Sequence, residues 1–391
     1  MKNKSTLMFA TLLLSVPGLA ADYHVAPRGA DSNPGTVARP FRTIQRAANI
    51  VHPGDTVIVE DGTYSNPLAS GADSTLVNVT HSGAANAYIT FRAQHKWGAV
   101  LDGLNNATAE GWEFAGNYIR IEDFEMKGFS DDALSNYKGG RFITITGNHI
   151  HDIGRYCTDT NIGRDGIFLS SSSITIERNV IHDIGRYSEG ENRCRPANTY
   201  YQGHDHGIYV AGASDVMIRN NVFYNITHGW SIQVYPKAVD NLAVLNNTFA
   251  YPNPWNTGHI IIAVPLTNSR IENNIFYEPN TAAIYFNPSD GLFPAKNTLS
   301  IKNNLSTKIM IQLYIVQPER LMTDFSAPGI TYADNREKVD PLFANPAIHD
   351  FQLTSRSPAV GAGSMLSDVP NDCKGLVRAN PPSIGAFEYA R

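Results

Sequence analysis

The sequence predicts an all-β chain: one right-handed parallel β-helix, a single-domain solenoid with an N-terminal capping helix. Three observations carry that prediction. First, an asparagine pair keeps returning, as Asn220-Asn221, Asn246-Asn247, Asn273-Asn274 and Asn303-Asn304, with second members 26, 27 and 30 residues apart. Weaker copies at Asn148 and Asn179 extend the register upstream by steps of 42 and 31. Self-similarity at such a period marks a repeat architecture, in which each unit covers its neighbour's apolar face. Second, apolar residues alternate before each pair, as Val216 and Ile218 do before Asn220, and a period of two belongs to strands. Third, a helical 3.6 period is almost missing from the chain.

One coil then consists of a strand leading to the Asn pair, a second strand such as Val222 to Ile226, and a third such as Gly207 to Val210. Asn suits the turn because it tolerates the left-handed conformation and bonds locally. Stacked coils put Asn on Asn, and an amide ladder satisfies groups the turn would otherwise bury. Hairpins of an antiparallel sandwich would need two-residue Asn-Gly turns between alternating strands, which are missing.

The N-terminus carries Lys2 and Lys4, an apolar run from about Leu7 to Val16, and Gly18-Leu19-Ala20 before Ala21. Residues 1–20 are expected to be a secretory signal peptide, too short in its apolar core to span a bilayer. Residues 21–391 form the β-helix domain, with an N-terminal cap to about residue 64, coils to about 310 and a closing segment after that. In the cap, Phe41, Ile44, Ala47 and Ala48 follow Pro40 at helical spacing and are expected to form a lid over the first coil; Val57-Ile58-Val59 is the expected first strand. Near the end, Pro341, Pro346, Pro358, Pro381 and Pro382 break the pattern, and Ile384 to Tyr389 is expected to be a closing strand.

The formal net charge is −5, and loss of the leader would leave 29 basic against 36 acidic residues. No basic stripe exists to neutralise phosphates, so a nucleic-acid partner is not expected. No segment is expected to cross a membrane, and the mature protein is expected to be a secreted or periplasmic monomer. Export permits oxidation, and Cys157 and Cys194 fall in long inserts of consecutive coils, so a disulfide between those loops is expected. Cys373 is left over.

The segment YHVAPRGADSNPGTVARPFRTIQRAANIVHPGDTVIVEDGTY, from Tyr23 to Tyr64, resembles the opening of secreted right-handed β-helix proteins of the pectate-lyase-like superfamily. VDPLFANPAIHDFQLTSRSPAVGAG, from Val339 to Gly363, with SIGAFEY resembles their closing segment. The resemblance implies a polysaccharide lyase, a glycoside hydrolase or a uronate epimerase, with a cleft beside the third strand walled by long loops. Two such loops exist here, Asp152 to Asp165 and Asp183 to His206.

Aligning coils on inward residues matches Ile208 and Val210 with Ile167 and Leu169, with Ile232 and Val234, with Ile262 and Val264, and with Ile284 and Phe286. Phe168, Tyr209, Gln233, Ala263 and Tyr285 then point outward in one ladder; Arg164, Asp205, Gly229 and His259 form a second line; Asp165, His206 and Trp230 occupy the bend. Elimination across a uronic acid needs a carboxylate neutraliser, a base and an acid. In the motif Gly203-His204-Asp205-His206-Gly207, His206 or His204 is the candidate base and Asp205 could orient a histidine. Tyr209 or Tyr201 is the candidate acid, and Arg164 or Arg186 the neutraliser. Phe168, Tyr201, His228, Gln233, Lys237, His259 and Tyr285 are candidate substrate contacts. The resemblance also implies calcium, for which Asp131 and Asp132, with Asp159 or Asp165, offer oxygen ligands. HDIGRY occurs twice, so His151 and His182 are expected to stack as a structural ladder.

The reading that follows is a lyase cutting an acidic, uronate-containing polysaccharide by β-elimination. A glycoside hydrolase using Asp132, Asp165 and Asp205, a C5-epimerase, and a carbohydrate-binding protein without turnover remain open alternatives. Asp205-His206-Gly207 lacks the proline of the Asp-Pro-His element in alginate epimerases.

Overall fold

The computed structural model describes residues 20–66, 71–157, 163–187, 190–194, 203–226, 228–287, 297–313, 320–322 and 329–390. The expected signal peptide, except Ala20, lies outside them, as do Tyr201 and Asp159.

The described residues wind as a right-handed parallel β-helix with three long sheets, of eleven, ten and nine strands. Each coil gives one strand to each sheet, so neighbours in a sheet are a full coil apart in sequence. The eleven-stranded sheet holds the strands before the asparagines and pairs in parallel from Asp22–Val25 to Ile330–Ala333. The first strand is therefore Asp22–Val25, one coil earlier than Val57 to Val59, against which it pairs. The short stretch DYHV alternates too briefly to stand out from its polar surroundings. In the ten-stranded sheet every pairing is parallel except the last, where Ile309–Leu313 meets Arg320–Met322 antiparallel.

The asparagines divide their labour. The first of each pair holds the left-handed turn, with φ of 56° at Asn220, 52° at Asn246, 58° at Asn273 and 52° at Asn303. The second points inward and forms a ladder through Asn148, Asn179, Asn221, Asn247, Asn274, Asn304 and Asn335, each side-chain nitrogen donating to the next side-chain oxygen at 2.9–3.1 Å. The same oxygens accept the backbone N–H of the previous Asn, as Asn247 does from Asn221 at 2.9 Å. The inward amides are thereby satisfied within the stack, while those of Asn220, Asn246 and Asn273 bond the C-terminal segment.

Inside the coils, residues facing the axis repeat in kind. Phe223, Phe249 and Phe276 stack at 4.8 and 5.0 Å between ring centres, nearly parallel. Trp112 lies among Phe91, Phe114 and Phe124 in the earlier coils. Such shared filling is what makes one coil's interior depend on the next.

The capping helix is short, Ile44–Ala48, and Thr43 caps it by accepting the Arg46 N–H at 3.1 Å. Ile44, Ala47 and Ala48 are buried, whereas Phe41 belongs to a bridge with Val25 rather than to the helix. Gln45 donates to Asn78 O and accepts from Asn78 N, at 3.0 and 2.7 Å. Asn78 lies in Gly71–Val79, the edge strand of the ten-stranded sheet, so one amide side chain closes part of an open edge. At the other end, Ile384 to Tyr389 is not a strand. It crosses the coils: Gly385 N donates to Asn273 O at 2.7 Å and Ala386 N to Thr248 Oγ1 at 3.0 Å. Ile384 and Ala386 are buried against the outer side of the turns, which gives an apolar alternation without a partner strand.

Candidate active site

Two outward rows run across the ten-stranded sheet. One contains Glu113, Ser135, Phe168, Tyr209, Gln233, Ile261 and Tyr285, each paired in register with the next. The strand after Gln233 places Ile261, not Ala263, in this row. The run Ile260-Ile261-Ile262-Ala263-Val264 is apolar at every position, so alternation had nothing to phase it. The second row contains Asp132, Asp165 and His206, paired in order, and the pairing of Trp112 with Leu134 sets Glu110 beside Asp132 at its head.

Three carboxyl groups thus stand side by side along one row, a consequence of stacking that no single coil contains. They line a pocket of about 560 Å³ together with Asp131, Glu113, Ser135, Tyr137, Lys138, Gly163, Phe168, Tyr209 and Thr75. Burial raises the pKa of all three, and repulsion from neighbouring carboxylates adds to it. Burial and then Glu113 push Glu110 up to about 7. Burial, then Asp131, Asp165 and Glu110, hold Asp132 well above the usual carboxylate range. Burial and Asp205 do the same to Asp165, whose Oδ1 accepts the His206 N–H at 3.1 Å.

The pocket holds other chemistry. Lys138 Nζ pairs with Glu113 Oε2 at 2.5 Å while keeping half its side chain exposed. Burial raises the Tyr209 phenol, and its hydroxyl meets Gln233, so it keeps its proton at neutral pH. Phe168 packs edge-on to Tyr209 at 5.5 Å and tilted against Tyr137 at 6.2 Å, an aromatic floor on which a sugar ring can lie. Sequence reasoning missed Glu110, Glu113 and Lys138. Glu110 and Glu113 precede the first recognisable Asn coil, and Lys138 follows the strand in a turn; register alone brings them here.

Several expected site residues are instead structural. Arg186 does not face the cleft: its Nη1 pairs with Asp205 Oδ1 at 2.9 Å, the side chains 3% and 0% exposed. Asp205 consequently orients no histidine; its second oxygen accepts the Arg186 N–H at 2.9 Å, and burial pushes its carboxyl up to about 7 against the pull of Arg186. Gly185, at φ 97°, permits this contact, since a Cβ there would lie 2.6 Å from Asp205 Cβ. His206 is buried, its Nδ1 accepts the Trp230 N–H at 3.1 Å, and burial drives its pKa down to about 3. A ring so placed cannot reach a sugar proton. His228 is buried with Nδ1 against Arg186 O at 2.8 Å. His259 falls opposite Ser231, inside the coil, fully buried against Phe249 and Phe276, with Nε2 bonded to Tyr277 O at 3.1 Å. The same register ambiguity that displaced Ala263 had turned it outward.

Arg164 pairs with Asp131 at 2.9 Å, so one expected neutraliser and one expected metal ligand occupy each other. His204 keeps partial exposure, and its backbone carbonyl lies over Gly163 at the pocket rim. Burial, and then Arg186, lower its pKa, leaving a neutral imidazole. Gln233 and Tyr285 lie further along the first row, where Tyr285 stacks on Trp230 at 5.7 Å. Lys237 is exposed beyond the strand end, beside Gly212 and off the pocket. Cys157 and Cys194 form the expected disulfide, with Cα atoms 5.3 Å apart.

Residues 23–192 match the family model described as the Pel9A-like right-handed β-helix region, and residues 125–317 match one described as periplasmic copper-binding protein (NosD). Pectate lyase PEL9 of Emericella nidulans is 34% identical over 158 residues, 39% of this chain and 36% of that protein. The uncharacterized protein YwoF of Bacillus subtilis (strain 168) is 31% identical over 147 residues, 34% of this chain and 30% of that one. The chain thus spans about a third of the length of the curated relatives it matches. The crystal structure of pectate lyase Pel9A superposes with a TM-score of 0.58 over 95% of this chain and 96% of that chain, at 17% identity, a likeness of fold.

Proposed function

We propose that the chain, whose residues 23–192 match the Pel9A-like right-handed β-helix model, is an exported lyase of that family. Its substrate would be an acidic, uronate-containing polysaccharide, cut by β-elimination in the pocket over Asp132 and Asp165. Relatives named as a pectate lyase and as a periplasmic protein support the substrate class and the location outside the cytoplasm. No helix among the described residues is long and apolar enough to cross a membrane.

The observation that carries the proposal is the row Glu110–Asp132–Asp165 beside Lys138 and Tyr209. Three crowded carboxyls repel a polyanion unless a cation joins them, and hard oxygen donors of this kind suit Ca²⁺. Glu110, Asp132 and Asp165 offer the donor chemistry, but their ligand oxygens do not all lie within 4.8 Å of one another, so an ion there would need oxygens from the substrate as well; Asp131 is already engaged by Arg164. Bound there, Ca²⁺ would supply positive charge to the substrate carboxylate.

The chain's own groups do the rest. Lys138, held by Glu113, places a second positive charge in the pocket. His204, whose backbone carbonyl lies over Gly163 at the rim, is the proposed base for the C5 proton; the C4–C5 double bond forms as the C4–oxygen bond breaks. Tyr209, still protonated, gives its proton to the departing oxygen. Phe168 and Tyr137 support the ring.

Incubation with polygalacturonate, alginate, glucuronan and hyaluronan, with and without chelator, tests this through the ultraviolet absorbance of an unsaturated uronate. A chelator-sensitive rise is expected. New reducing ends without that absorbance would overturn it in favour of hydrolysis, a reading to which the raised Glu110 and Asp132 protons lend specific support.

A further inference from the structure

A second group of converging side chains lies on the nine-stranded sheet, away from the pocket. The strands Glu125–Lys127, His149–Ile153, Val180–Ile184 and Val222–Ile226 lie side by side. Register places His149 beside Glu125, and His151 between Lys127 and His182. Ile150, Ile181 and Phe223 fill the core, so the histidines share the outer face. As expected from the repeated HDIGRY, His151 and His182 stack, at 5.1 Å and 2° between planes, and Tyr224 continues the stack at 4.3 Å.

Stacking does not account for the ring nitrogens. His182 Nδ1 lies 2.5 Å from Asp183 Oδ2, and His151 Nδ1 lies 2.8 Å from Asp152 Oδ2. Asp152 and Asp183 both take positive φ, 53° and 50°, in the same His-Asp step. A carboxylate accepts only, so both Nδ1 atoms carry a proton and the Nε2 atoms are the ones turned toward the rest of the cluster. One of these nitrogens is in a hydrogen bond, whose proton an ion would replace, and the other has none. His182 Nε2 lies 2.7 Å from His149 Nε2. His151 Nε2 is buried without a hydrogen-bond partner, 3.4 Å from Glu125 Oε1. One ligand atom from each of Glu125, His149 and His151 lies within 4.8 Å of the others.

We propose that Glu125, His149, His151 and His182 bind one divalent first-row transition ion. Three imidazoles and one carboxylate form a donor set typical of Zn²⁺, and Asp152 and Asp183 supply the outer carboxylates that fix tautomer and ring orientation. Lys127, with Nζ 3.2 Å from Glu125 Oε1, is the cation that the ion would displace from that oxygen. The site stands on a different sheet from the pocket and is independent of any activity there.

The test uses the whole mature chain, stripped with chelator and returned to millimolar Ca²⁺ so that oxygen sites are filled. Zn²⁺ is titrated by calorimetry and Co²⁺ by visible absorption. One ion per chain and the intense visible bands of four-coordinate Co²⁺ are expected. His151→Gln and His182→Gln should each weaken Zn²⁺ at least tenfold, and Asp183→Asn by about 10- to 100-fold. Asp132→Asn should leave the affinity unchanged. Circular dichroism checks that each variant folds, and the wild-type Co²⁺ spectrum needs no variant. A pale six-coordinate spectrum, no binding below millimolar Zn²⁺, or Zn²⁺ lost with Asp132→Asn but not with the histidine variants would overturn the proposal.

Discussion

Arg186 and Asp205 meet at 2.9 Å with both side chains out of solvent, one at each end of a long insert between two coils. The pair ties the two ends of that insert together. Removing the guanidinium leaves a buried carboxylate uncompensated, which costs about 3–5 kcal/mol. Arg186→Met should therefore lower the urea midpoint sharply, and Arg186→Met with Asp205→Asn should recover much of the loss. Any fall in activity in the single variant would follow unfolding of the loop and not loss of a substrate contact.

Groups proposed to touch the substrate should behave in the opposite manner. Tyr209→Phe and His204→Gln are expected to cut unsaturated product formation about a hundredfold to ten-thousandfold with little change in melting temperature. Lys138→Met should act mainly on KM. His206→Gln, by contrast, should lower stability, because it disturbs the buried acceptor of the Trp230 N–H.

Glu110 gives a pH signature. Its carboxyl is raised to about 7 in the fold, against about 4.3 in an unfolded chain. The folded state then binds the extra proton between those values, so the stability it contributes is complete below about 4.3 and is lost as pH rises through about 7. Melting temperatures in chelator should show wild type losing ground relative to Glu110→Gln over that window. Millimolar Ca²⁺ should close the gap at the alkaline end.

Asn247 sits in mid-ladder. It donates to Ile218 O at 2.8 Å and Asn274 Oδ1 at 3.1 Å, and accepts from Asn221 N and Nδ2 at 2.9 and 3.0 Å. Asn247→Ala orphans buried groups on two coils at about 1–3 kcal/mol each. Asn246→Ala loses a left-handed turn residue worth about 1–2 kcal/mol together with the bonds of its buried side chain to Ser383 O, Gly385 O and Asn273 Nδ2, so both variants should lower the denaturation midpoint.

The disulfide closes a loop between residues 37 apart in sequence. Chain entropy gives about 3–4 kcal/mol for that length. Cys157→Ser with Cys194→Ser should lose about that much in equilibrium unfolding, and proteolysis should nick the two loops first.

The sequence by itself determined the repeat. Paired asparagines and period-two alternation are local, and each records what its own turn and strand require: one side chain for a left-handed bend, the next for an inward amide. Asn148 to Asn304 were legible for that reason, as were Phe168 and Tyr209, whose neighbours alternate cleanly. The tertiary structure alone decided the rest, because stacking joins residues about one coil apart through register, and register is lost wherever apolar residues run on unbroken. Ile260 to Val264 is such a run, and it turned His259 from a surface residue into a core one. Charge patterns could not say whether Arg186 and Asp205 faced a substrate or each other, since burial, which fixes their pairing, is a property of the packed coils. Glu110, Asp132 and Asp165 became one site only when three consecutive turns of the solenoid set them on a common row.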